Sequence, residues 1–378
     1  MSSRNKKHQK SYVLLAGAAF GAASVCAHAQ SDVTLYGVVD ANIEYVTNMS
    51  RTTPLQPGFP SQAGNRLALT SGGLSGSRWG LRGVEDLGDG LQAVYVLESG
   101  FGVDDGKLTQ GGRLFGRQAY IGLQSARLGR ITFGRQYTAI FDAFANFSPT
   151  RYGSQYEPIA AQLGLDFRSD NTAKYTGNFG PVTATAHWSF GNGVIGAGEV
   201  PGQFRRDTGY GGSLSYSSGN FGAALAYGQF NPTLTASGDT GTFRKAGAAA
   251  SYTIGTAKLM GGYRWGKDEG PNGATLLRDD YFWVGANYDA TTALSLTLAY
   301  YYDNVKSLAG RNVANPWQVS FIANYRLSAR TDVYLTTAYT KNAGLNFDTS
   351  AISFANGYFP GAGKNSMLGV AVGMRHRF

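Results

Sequence analysis

The chain has 378 residues, 43% of them hydrophobic but only 15% charged, with a formal net charge of +9. Its lysines and arginines are dispersed, with no basic block past residue 30, which argues against a nucleic-acid partner. Past that point no stretch approaches the roughly 18 apolar residues of a membrane helix, and the one cysteine, Cys26, rules out a disulfide framework.

The first element is a leader. Arg4, Lys6, Lys7 and Lys10 form a basic head, an apolar stretch follows from Tyr12 to about Val25, and Ala27-His28-Ala29 supplies a small-x-small cleavage site. We therefore expect a secretory signal peptide over 1–29 and a single mature domain over 30–378, starting at Gln30. Cys26 raises a lipoprotein reading, but Ala23 stands where the usual leucine would lie. The leader carries four basic residues and no acid, so the mature net charge is +9 − 4 = +5.

From there one unit repeats: a strand of about ten residues, then a turn, with turns alternately short and long. Short reversals are expected at 85–90, 125–129, 178–181, 217–220, 255–256, 289–292 and 327–331, each rich in Gly, Asn, Asp, Ser or Pro. Long polar connections are expected at 47–74, 103–112, 138–170, 191–207, 230–243, 266–279, 304–315 and 342–364. Seven short turns and eight long loops join sixteen strands. That is the plan of an all-β, sixteen-stranded antiparallel transmembrane barrel.

The strands alternate with period two. Val33, Leu35, Ile43 and Tyr45 share one face of the first strand, and Asp40, Asn42 and Glu44 the other. Ala184, Ala186, Trp188 and Phe190 oppose Thr183, Thr185, His187 and Ser189. The chain ends on the same pattern: Val370, Val372, Met374, His376 and Phe378 on one face, Ala371, Gly373, Arg375 and Arg377 on the other. A face toward lipid and a face toward a watery lumen explain it, with Phe378 in an aromatic girdle. Gly contributes 53 residues and Tyr and Phe 44. That suits closely packed strands with aromatics at the membrane interfaces.

Several stretches carry a family resemblance. Ser31–Asp40 (SDVTLYGVVD), Gly76–Gly83 (GSRWGLRG), Phe115–Leu123 (FGRQAYIGL), Leu128–Tyr137 (LGRITFGRQY) and the ending are similar to the general trimeric porins of Gram-negative bacteria. They resemble most the porins of β-proteobacteria. The resemblance spans essentially the whole mature chain. It implies a homotrimer in the outer membrane and a third loop folded into each barrel. It further implies a basic ladder on the wall facing acids on that loop. Small ions and solutes would pass without a cofactor. Lipid and lipopolysaccharide would surround the barrel, and Phe378 would be read by barrel-assembly machinery.

The site residues follow from faces and from this resemblance. Arg78 and Arg82 share a face, as do Arg113 and Arg117, opposite Trp79 and Leu81, so the arginines are expected in the lumen. Arginine on a lipid face at mid-membrane costs about 2–4 kcal/mol, which favours the same orientation. The resemblance carries the basic ladder onto Arg78, Arg117 and Arg168; the family's further lysine falls on Val38, and Arg82 is expected to replace that charge. In the third loop, Asp142 lies in an aromatic-Asp-Ala pattern shared with the family. Arg151 stands where several such porins place acids. Glu157 follows, and Asp40 and Glu44 are expected to temper the field from the first strand. A positive constriction favours anions.

Two other classes compete. A barrel enzyme needs a nucleophile or base set, and after the leader only His187 and His376 remain, with no Gly-x-Ser-x-Gly and no metal-ligand cluster. A channel specific for a sugar or organic anion would use Tyr137, Phe141, Phe144, Phe147, Tyr152 and Tyr156 as an aromatic surface. The plainer alternative is that these rings pack the loop against the wall.

Overall fold

In the computed structural model, residues 32–54, 56–152, 155–193, 198–348 and 357–378 are described; the expected leader over 1–29 and the start at Gln30 lie outside them. The strands are β1 Asp32–Ser50, β2 Ala63–Ser71, β3 Arg78–Gly88, β4 Leu91–Gly100, β5 Gln118–Ser125, β6 Gly129–Tyr137, β7 Arg168–Phe179, β8 Val182–Ser189 and β9 Gly209–Ser218. They continue with β10 Phe221–Phe230, β11 Thr242–Ile254, β12 Ala257–Glu269, β13 Thr275–Asp289, β14 Leu294–Leu308, β15 Trp317–Arg326, β16 Thr331–Lys341 and β17 Ser366–Arg377. All pairings are antiparallel. The ladder closes where β17 returns to β1, from Val38↔Arg377 to Val46↔Gly369.

β1 pairs with β3 along its first half and with β2 along its second. β2 and β3 are therefore two halves of one wall strand, and the barrel has sixteen. Residues 72–77 between them step out of the ladder into the lumen. Asp40 holds that step, accepting hydrogen bonds from the N–H groups of Gly73, Leu74 and Ser75. Closure leaves no open sheet edge, so the ladder's backbone groups are satisfied within the wall.

The two faces divide by chemistry as period two dictates. Val33, Leu35, Ile43, Leu67, Leu69, Ile121, Phe133, Leu225, Val284, Leu298, Val372 and Met374 are all exposed on the outside. A contiguous apolar belt of this kind is a membrane-facing surface. Asp40, Asn42, Glu44, Thr185, His187, Asp332 and Thr336 are buried on the inside. At the seam Gly37 is required. Its N–H donates to the Phe378 carbonyl at 3.0 Å, and a Cβ there would meet the Phe378 ring at 2.3 Å.

All seven expected short turns are found between paired strands. At 89–90 the turn uses the Asp-Gly pair that a tight hairpin favours, with φ of 52° and 74°. Four loop expectations are corrected, the first being 47–74, which shrinks to 51–62 because β1 runs to Ser50 and β2 occupies Ala63–Ser71. The 266–279 connection shrinks to 270–274 because β12 and β13 run on, and β14 continues to Leu308. The connection expected at 103–112 is longer, so β5 begins at Gln118 and Arg113 is in a loop. There Arg113 pairs with Asp170 at 2.8 Å.

Candidate pore constriction

Loop 3 joins β6 to β7 and lies inside the barrel. It contains two short helices, α1 Ala139–Phe144 and α2 Ile159–Leu163, and a 3₁₀ turn, Ala145–Phe147. Apolar burial attaches it first: Ile140, Phe144, Phe147 and Leu163 form one cluster with Ala224, Ala226, Ala249, Tyr281, Trp283 and Tyr301 of the wall. Wall side chains then satisfy the loop's backbone. Trp283 Nε1 donates to the Phe147 carbonyl at 2.8 Å, and Asn287 Nδ2 to that of Pro149 at 2.9 Å. Arg264 Nε donates to the Gln162 carbonyl at 3.0 Å and Ser320 Oγ to that of Tyr156 at 2.7 Å. On the far side Gln155 N–H reaches the Gly73 carbonyl at 2.6 Å, so the loop spans to the inward step at 72–77.

What remains open is a cavity of about 680 Å³ lined by wall and loop 3. Six arginines line it, Arg78, Arg117, Arg151, Arg326, Arg375 and Arg377, against two acids, Asp289 and Asp332. Asp332 pairs with both Arg375 and Arg377 at 2.9 Å. Glu98, buried on the luminal face of β4, accepts from Arg117 Nε at 2.8 Å and lies 3.4 Å from Arg78 Nε. Among the described residues Arg151 and Arg326 have no acid within ion-pair distance. The cavity surface is thus strongly positive.

The expected site residues separate into three groups. Arg78, Arg117 and Arg151 line the cavity. Arg82 is exposed on the luminal face of β3, over the Tyr36 ring at 5.6 Å. Arg168 is half-buried against the rings of Tyr137 and Phe167, each 4.8 Å away, and donates to Tyr137 Oη at 3.1 Å. Three of the four acids, Asp40, Glu44 and Glu157, are corrected. Asp40 is fully buried and spent on the 72–77 step and on Tyr334 Oη. Glu44 is fully buried too, accepting from Tyr156, Tyr358, Gln155 and Arg66.

Asp142 pairs with Lys174 at 2.8 Å in a separate cleft beneath α1, lined also by Tyr120, Arg130 and Asn146. Glu157 is buried within loop 3, accepting from Ser148 Oγ, Thr150 Oγ1 and Tyr152 N–H. Burial in this loop, outside the spanning strands, pushes its carboxyl up to about 7. Asp40 and Glu44, placed in the lumen by alternation, were expected in water; each is instead drawn into a buried hydrogen-bonded anchor, as Glu157 is within the loop, while Asp142 stays half-exposed beside Lys174. The aromatic cluster divides as well. Phe144, Phe147 and Tyr156 are buried packing, while Tyr137, Phe141 and Tyr152 reach the cavity. Tyr137 and Phe141 stack on one another, 3.9 Å apart at 7°.

Sequence reading missed Glu98, Arg326 and Lys174. Glu98 becomes visible only once the register sets it opposite Gly80, between Arg78 and Arg82 on the neighbouring strand. Arg326 sits at the end of β15, beside a stretch read only as a turn.

The chain matches the family model for Gram-negative porins over residues 15–345. It is 32% identical to an outer membrane porin protein of Bordetella pertussis, over 97% of this chain and 99% of that one. It is also 32% identical to outer membrane porin protein 32 of Delftia acidovorans, over 94% and 97%. Among solved structures, the anion-selective porin from Comamonas acidovorans superposes with a TM-score of 0.74 at 27% identity, covering 92% of this chain and all of that one.

Proposed function

Because the chain belongs to the Gram-negative porin family, whose members are outer-membrane channels, we propose that its pore prefers anions. The observation that carries this is the cavity lined by six arginines and two aspartates. Rings of arginine at a constriction favour anions, and the similar porin from Comamonas acidovorans is described as anion-selective. Loop 3 sets the steric limit, and small hydrophilic solutes diffuse past it. Arg78, Arg117 and Arg151 supply the field at the constriction, with Arg326, Arg375 and Arg377 extending it.

The assembly we propose is a homotrimer, with lipid and lipopolysaccharide against the outer belt and Phe378 read during assembly after a leader is removed. We read no enzyme in it. His187 accepts from the Ala139 N–H at 3.2 Å beneath α1, and His376 bonds the Thr331 hydroxyl at 2.9 Å on an exposed surface outside the cavity. The six-ring aromatic surface of a sugar channel is half consumed by packing, which favours the general channel.

The test is the reversal potential of the purified protein in a planar bilayer under a KCl gradient. Anion selectivity that weakens in Arg151→Glu is expected; cation selectivity in the wild type would overturn the reading. Three equal conductance steps per insertion would support the trimer, and single steps would remove it.

A further inference from the structure

We propose that Glu157 controls the ion preference from inside loop 3, as a positioning residue that holds the turn presenting Arg151 to the pore; this rests on the anion-preferring reading above. Arg151 and Tyr152 are consecutive non-glycine residues with left-handed backbone, φ 61° and 50°. That conformation costs about 1–2 kcal/mol per residue, so the turn persists only where its surroundings over-determine it.

The surroundings are built around one carboxylate. Glu157 is 3% exposed, and its oxygens take the hydroxyls of Ser148 and Thr150 and the N–H of Tyr152, the last at 2.9 Å. Ser148 closes the turn from below, its carbonyl accepting the Arg151 N–H at 3.1 Å and its Oγ the Tyr152 N–H at 3.2 Å. Thr150 Oγ1 also lies 3.2 Å from Tyr301 Oη of β14, and the Pro149 carbonyl is held by Asn287 of β13. The clamp therefore fixes the turn both to itself and to the wall. Gly285 leaves room for it, since a Cβ there would meet the Pro149 ring at 2.4 Å. The product is an exposed Arg151, with no acid within ion-pair distance among the described residues, on the cavity shared with Arg78 and Arg117.

The sign of the effect separates a clamp from a charge. If Glu157 acted only through its charge, removing it would make the pore more anion-selective. If it acts through Arg151, removing it releases the left-handed turn, Arg151 loses its fixed place, and anion selectivity falls.

The experiment measures reversal potentials of the full chain in planar bilayers under a KCl gradient, for wild type, Arg151→Gln, Glu157→Ala, the double variant, Glu157→Gln and Thr150→Val. Arg151→Gln is expected to lower the anion-to-cation permeability ratio about two- to fivefold, the scale of one charge at a few ångströms in water. Glu157→Ala should lower it comparably, and the double variant no further than Arg151→Gln alone. Glu157→Gln, which keeps one oxygen for Thr150 Oγ1 and the Tyr152 N–H and turns an amide N–H toward Ser148 Oγ, should retain most of the wild-type ratio. Thr150→Val, which removes one bond of the clamp at nearly constant shape, should give a partial loss even if Glu157→Ala yields no folded protein. A ratio that rises or stays constant in both Glu157→Ala and Thr150→Val overturns the proposal, as does a Glu157→Ala loss that adds in full to that of Arg151→Gln. An anion-selective wild type unaffected by Arg151→Gln also overturns it, while leaving the channel reading standing; a cation-selective wild type removes both.

Discussion

Glu98 lies between two of the arginines that give the pore its sign. It bonds Arg117, neighbours Arg78 and accepts from Tyr36 Oη at 3.1 Å, all from a buried position. Its negative charge is therefore subtracted from the field at the cavity. Glu98→Gln keeps an oxygen for Arg117 and removes the charge, so the anion-to-cation ratio should rise about two- to fivefold; an unchanged ratio would show that the field there is set elsewhere. Glu157 gives a pH dependence. Its carboxyl is raised by burial from 4.5 to about 7, so the folded loop holds a proton that the undocked loop releases. That stabilisation is fully present below about pH 4.5 and is lost as pH rises through 7. Hydrogen exchange of loop-3 amides, corrected for the intrinsic effect of pH, should be slower at pH 5 than at pH 8. The difference should vanish in Glu157→Gln.

At the scale of elements, loop 3 and the wall are separable in energy. The wall is a closed ladder whose strand pairing does not pass through the loop, whereas the loop's helices have six and five residues, too short to persist alone. Phe144, fully buried against Trp283 with ring centroids 5.4 Å apart, is a principal apolar anchor. Phe144→Ala should weaken docking by about 3–5 kcal/mol. Because the ladder is untouched, the expected signature is larger, noisier single-channel conductance with an unchanged barrel melting temperature; a lowered melting temperature would show that loop and wall unfold together. The same separation explains what was legible beforehand. Short turns carry their chemistry locally, as Asp89-Gly90 does, and all seven could be placed. The upper ends of β12, β13 and β14 could not, because charged Lys267, Asp268 and Glu269 read as loop, whereas in the ladder Asp268 and Glu269 pair with Lys245 and Arg244 of β11. The division of the second wall strand at 72–77 was also hidden, since its anchor, Asp40, lies more than thirty residues earlier.

At the scale of the whole molecule, closure assembles what no single segment contains. The cavity's arginines come from β3, the residue just before β5, loop 3, β15 and β17, and meet only because β17 pairs with β1. The luminal orientation of Arg78, Arg117, Arg375 and Arg377 was legible from alternation, whereas Arg326 and the fate of the acids were not. Asp40 is held by Tyr334, 294 residues away, and Glu44 by Tyr358, 314 away, contacts that no local pattern encodes. The lumen therefore keeps six arginines at the cavity against two acids, while Asp40, Glu44 and Glu157 are drawn into anchors, and the imbalance acts as a field across the opening. A field of this kind is screened by salt, with a Debye length of about 10 Å at 0.1 M and about 3 Å at 1 M. The anion-to-cation ratio from reversal potentials should accordingly be several-fold larger under gradients centred near 0.1 M KCl than near 1 M. A ratio independent of salt would mean that ions are selected by direct contact with one or two guanidinium groups. In that case Arg151→Gln alone should remove most of the preference, whereas a distributed field would survive it in part through Arg78, Arg117 and Arg326.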